Sequence, residues 1–166
     1  MRWGLSSIMN SCANSFWWYN MASDHDFGAT PRPIYKADGR KLPDCFTVPT
    51  DWREKLSSRL GKFPLFNFWG PNTNISSTRW IAKASELAIT DFDPTLTLVY
   101  LPHLDYDMQR FGPNENHPAV AKSLQEIDQV APFVMPRPSH CGAPTQGVLL
   151  VHGLLDSAYA LQDIGR

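Results

Sequence analysis

Asp105 lies just past Thr95-Leu-Thr-Leu-Val-Tyr-Leu101, an apolar run rich in β-branched and aromatic residues and bracketed by Pro94 and Pro102. The run lacks the alternation of a strand with one wet face, so it suits a strand covered on both sides. In open parallel sheets ligands bind beyond the carboxyl ends of the strands, which predicts that residues 103 to 109 face a crevice. Two roles are open to a carboxylate there: a metal ligand, or a solvated or capping group at a strand end. His103 and Asp107 flank it. A histidine beside a strand end is more often hydrogen-bonded to backbone than bound to metal, so neither is taken as a ligand.

The elements that would position Asp105 follow from period and punctuation. A strand is expected near residues 14 to 19, followed by irregular chain where Pro31, Pro33, Pro43 and Pro49 exclude a long helix. Trp52, Leu56 and Leu60 recur every four residues, with Asp51 and Glu54 placed for a capping box and Gly61 for the stop. Phe63 to Trp69 reads as a buried strand. A second helix starts near Ser76 or Ser77 and keeps Trp80, Ile81, Ala84, Leu87 and Ala88 on one face. A third, capped by Asn116 with Pro118 in its first turn, carries Val120, Leu124, Ile127 and Val130. Strands alternating with such helices imply right-handed crossovers, hence an α/β fold with a three-layer, mainly parallel sheet.

Composition narrows the function classes. The 166 residues are 43% hydrophobic and 19% charged with a formal net charge of -1, which fits one soluble globular core and gives no pull toward nucleic acid or anionic membrane. Cys12, Cys45 and Cys141 are odd in number and widely spaced, so they suggest neither a disulfide framework nor a cysteine zinc site. The first dozen residues are too polar for a signal-peptide core, and no stretch approaches the ~18 apolar residues of a membrane span. A cytoplasmic location without nucleic-acid or membrane partners is the expectation. Of the remaining candidates, the aromatics Phe16 to Tyr19, Trp69 and Trp80 are read as core and not as a nucleobase platform. Arg32, Arg40 and Lys41 are read as solvated loop charges and not as phosphate contacts.

Longer matches carry a resemblance. Residues 14 to 131 include Phe16-Trp-Trp-Tyr-Asn-Met21, Thr30-Pro-Arg-Pro33, Ala37-Asp-Gly-Arg-Lys41, Phe63-Pro-Leu-Phe-Asn-Phe-Trp-Gly-Pro71, Arg79-Trp-Ile-Ala82 and Asp93 through Tyr106. In these the chain resembles the type I phosphodiesterase/nucleotide pyrophosphatase branch of the alkaline phosphatase superfamily. The resemblance implies hydrolysis of a phosphodiester or nucleotide small-molecule substrate, assisted by zinc or another divalent metal. The family motif Asp-x-x-x-His-x-x-Gly-Pro appears as Asp105-x-x-x-Gln109-x-x-Gly112-Pro113, so the resemblance makes Asp105 and Gln109 metal-site residues, with an amide in place of the imidazole that zinc prefers. The family's nucleophile and remaining ligands have no counterpart in this sequence. A single Asp ligand cannot hold a metal pair, so a truncated, inactive or nearly inactive chain is expected, with a noncatalytic remnant or fusion product as the alternative.

At Pro132 the texture changes to a Pro-rich linker, residues 132 to 146. Residues 147 to 166 then open with Gly147-Val-Leu-Leu-Val-His-Gly-Leu154, which resembles the first core strand and oxyanion turn of an α/β-hydrolase. No Gly-x-Ser-x-Gly nucleophile elbow is present, so an esterase-like function has no serine to use and His152 is read as structural. The organisation expected is a partial phosphodiesterase-like domain over 1 to 131, the linker, and this tail; residues 132 to 166 would pack loosely, because the strand presents an unpaired apolar edge unless another strand covers it.

Overall fold

The computed structural model describes residues 11–17, 20–134 and 147–152. Strand β1 (Cys12–Ser15) is central and stops where Phe16 takes a left-handed φ of 66°, a turn that a bulky residue adopts only when its surroundings hold it. The expected strand over 14 to 19 is thus shifted toward the N-terminus, and Trp18 and Tyr19 lie outside the described residues. Next come β2 (Phe27–Pro31), a small hairpin of β3 (Ile34–Tyr35) and β4 (Lys41–Leu42), and β5 (Cys45–Val48). The sequence predicts irregular chain here because of its prolines. Pro31 instead ends β2, and Pro43 and Pro49 stand just outside strands, where a missing N–H costs little.

Helix α1 (Trp52–Leu60) forms as expected and stops at Gly61, whose φ of 73° favours glycine. Asp51 makes no side-chain cap bond, so the capping box does not form. The predicted strand over 63 to 69 is replaced by a 3-10 turn at Leu65–Asn67. Two carbonyls that a ladder would use are taken elsewhere: Asn67 O accepts from Ser77 Oγ at 3.0 Å, and Phe68 O from Tyr106 OH at 3.0 Å. Helix α2 (Ile75–Phe92) is capped by Asn74, whose side chain accepts from Ser76 N, and not by Ser76 or Ser77.

Strand β6 (Leu96–Leu101) runs into α3 (His103–Phe111), and α4 (Pro118–Val130) follows with Pro118 in its first turn. His117 caps α4 through a ring nitrogen that accepts from Ala119 N, so Asn116 is not the cap. Strand β7 (Gly147–His152) completes one five-stranded sheet in the order β5-β2-β1-β6-β7. The neighbours β2/β1, β1/β6 and β6/β7 are parallel and β2/β5 is antiparallel, so the mainly parallel α/β sheet with flanking helices is observed. The backbone of β7 pairs with β6 from Leu96↔Gly147 to Leu101↔His152, so β6 covers one edge of this strand. Residues 135–146 of the expected linker, with Cys141, and 153–166 of the hydrolase-like tail lie outside the described residues.

Parallel register puts Ala13 beside Thr97 and Phe27, and Ser15 beside Val99 and Ala29, so these side chains share one face. Helix α2 crosses β1, β2 and β6 and buries Ser77, Ile81, Ala84, Ser85 and Ala88 at helical spacing. Small residues on both surfaces permit close approach at native packing density. Phe16, Phe63, Phe68 and Trp80 close one end of this core. Among the described residues no helix is long and apolar enough to cross a membrane.

Candidate functional site

Strand β6 delivers the chain to the carboxyl edge of the sheet, and Pro102 turns it at once into α3. The first turn of α3 buries His103, Leu104 and Asp105, while its far end carries the exposed Gln109 and Arg110. Positions four apart share a helix face. Asp105 and Gln109 accordingly line one cleft of about 290 Å³, walled opposite by Trp69 and Thr73 and flanked by Tyr100, Tyr106 and Arg110. The crevice expected beyond the strand end is there, and the two sequence-derived site residues share it.

The Asp105 carboxylate is 8% exposed and accepts a hydrogen bond from the Tyr100 hydroxyl. Burial, followed by the bond to Asp105 and its charge, pushes the Tyr100 phenol well above its usual range and keeps it a neutral donor. Burial also pushes Tyr106 up to about 12. Its hydroxyl donates to Phe68 O at 3.0 Å and so ties α3 to the opposite wall of the cleft. Behind the cleft, His103 Nε2 meets Glu126 Oε2 at 2.7 Å, and Ser123 Oγ donates to Asp107 Oδ2 at 2.6 Å. These contacts clamp α3 to α4, which is why neither His103 nor Asp107 faces the cleft's two donors.

Arg110 is the cleft's cation. Its Nη2 lies 3.5 Å from Thr73 Oγ1, and its Nη1 is 4.0 Å from Asp107 Oδ1, so its charge is loosely held and half exposed. Trp69 corrects the core assignment: it is 43% exposed and forms a cleft wall, whereas Phe16 and Trp80 are buried as expected. Arg40 is a solvated charge paired with Asp38 at 2.7 Å, as its loop position predicts.

A metal can be tested against these donors. Asp105 and Gln109 supply one carboxylate and one neutral amide, and among the described residues no group of three or more His, Cys, Asp or Glu could hold an ion. Zinc sites take three or four protein ligands. The described residues therefore offer one arm of a site and do not fit a complete zinc centre.

Sequence reasoning missed Tyr100, Tyr106 and Arg110. Tyr106 and Arg110 directly follow Asp105 and Gln109, a local signal; Tyr100 reaches Asp105 only because the chain turns at Pro102. The tyrosines also give a pH test. Tyr106 binds its proton more tightly folded than unfolded, so its stabilisation is complete below pH 10 and lost as the pH rises toward about 12. Urea unfolding across that window should show stability falling more steeply for the parent than for Tyr106→Phe; parallel slopes would place Tyr106 in water.

A sequence model of the type I phosphodiesterase / nucleotide pyrophosphatase family matches residues 7–132, which include every wall of the cleft. No curated protein and no solved structure matches the chain. With the match spanning well over half of its length and ending just past α4, the chain belongs to the type I phosphodiesterase/nucleotide pyrophosphatase family.

Proposed function

We propose that the α3 cleft is the substrate-facing arm of a hydrolase for phosphodiester or nucleotide pyrophosphate bonds. One observation carries this: α3 brings Asp105 and Gln109 into the same cleft as a loosely held guanidinium, Arg110, and an exposed indole, Trp69. Guanidinium forks match phosphate oxygens, and an aromatic face accepts a planar leaving group or base. Asp105 and Gln109 stand at the metal-ligand positions of the family motif, Gln109 in place of its His, and would be the residues of this cleft that face a divalent ion. Asp105 is oriented by Tyr100, and Tyr106 fixes the spacing of the cleft walls. In this reading the cleft binds the ester through Arg110 and Trp69 and turns it over negligibly.

The test is a titration with bis(p-nitrophenyl) phosphate followed by backbone amide shifts, beside an absorbance assay with zinc present. Saturable shifts at Trp69 and Gln109, weakened about threefold or more in Arg110→Ala, are expected, with no release of nitrophenol above a heat-killed control. Absent or Arg110-independent shifts would remove the substrate assignment. A zinc-dependent rate that disappears in Asp105→Ala would show a complete catalytic site and overturn the inactivity.

A further inference from the structure

A second hollow, of about 270 Å³, lies between α1, the turn from Gly61 to Phe63, and the β3–β4 hairpin, and it shares no lining residue with the α3 cleft. Its floor is apolar: Leu56, Phe63 and Trp80 are 1%, 2% and 8% exposed. One wall is apolar yet open to water, with Ile34 and Leu42 at 43% and 39% exposure. The indole N–H in the floor is already used, since Trp80 Nε1 donates to Gly61 O at 3.1 Å, and the Cys45 thiol beside it is a weak donor. On the rim Arg53 Nε is matched by Asp44 Oδ1 at 2.8 Å, whereas Lys62, among the described residues, has no carboxylate within ion-pair distance.

We propose that this hollow binds a small amphipathic carboxylate, with an aromatic or short aliphatic body against Leu56, Phe63 and Trp80 and its carboxylate at Lys62. The body is apolar because Leu56, Phe63 and Trp80 form most of the floor and covering Ile34 and Leu42 removes apolar area from water. The head is a monoanion because Arg53, Lys62 and Asp44 sum to one positive charge. It stays at the rim, where neither ion has to be stripped of water, so the lysine selects the sign of the ligand more than it supplies affinity.

The experiment titrates the full chain with 4-phenylbutyrate, its amide and the corresponding amine, reading backbone amide shifts at Gly61 and Lys62. Lys62 is exposed, so Lys62→Met keeps the fold and the apolar stem while removing the charge. Saturable shifts should appear with the carboxylate, which should bind about three- to fivefold tighter than the amide. In Lys62→Met that preference should vanish while the amide still binds. No saturation, equal affinity for carboxylate and amide, a preference that survives Lys62→Met, or shifts confined to Trp69 and Gln109 would each overturn the proposal.

Discussion

Trp80→Ala is expected to cost the fold about 3–5 kcal/mol, the range for removing a large aromatic from a core. Its ring meets Phe63 at 5.2 Å and 75° and Phe16 at 5.8 Å and 69°, both edge-to-face. Such pairs add about 0.5–1.5 kcal/mol each beyond the buried area. The indole N–H also donates to Gly61 O, so one side chain of α2 joins the end of β1, the 63–69 segment and the stop of α1. Trp80→Phe keeps most of the ring contacts and loses that bond, so its loss should be nearer 1–2 kcal/mol. Because domains of this size hold only about 5–15 kcal/mol in all, the alanine variant should show a much lower urea midpoint by far-ultraviolet circular dichroism. A change under about 1 kcal/mol would mean that the aromatic cluster is not packed as described.

Legibility in the sequence followed the strength of local periodicity. Helices α2 and α4 and strand β6 could be read because their apolar positions repeat over many residues or sit between prolines that fix both ends. Their caps were misplaced, since Asn74, Asn116, His117, Ser76 and Ser77 all have acceptors suited to the role and only geometry selects among them. Strands β2 and β5 are not legible in composition, because their prolines suggest loop and only the structure shows that they stand at strand ends. The run from Phe63 to Trp69 has the apolar content of a strand but spends it in a 3-10 turn, held by Ser77 and Tyr106 from distant segments.

The site shows the same division. Asp105 is legible from its place past the strand and Gln109 only through the family motif, and their common cleft follows from α3 being helical, since a helix brings positions four apart together. The short α3 itself was not foreseen; its few residues match no long apolar stripe. Tyr100 and the opposite wall at Trp69 depend on a chain reversal and on packing between segments, neither of which periodicity encodes.

Gln109→His should strengthen zinc binding by at least about tenfold, because imidazole is a far better donor to this borderline ion than a neutral amide oxygen. The position is exposed on α3, so the change disturbs little packing. The gain needs the neutral ring and should fade below about pH 6.5, where the ring protonates. Asp105→Ala should remove measurable binding at micromolar zinc, and the double variant should do no better than Asp105→Ala, since a histidine that has lost its helical partner is a single ligand. That departure from additivity separates one shared site from two independent surface ligands, whose effects would simply sum. Calorimetric titration of the four proteins at pH 7.5 decides it: equal affinity of the parent and Gln109→His would mean that residues 105 and 109 do not converge on one ion, and the metal-facing role proposed for them would fall.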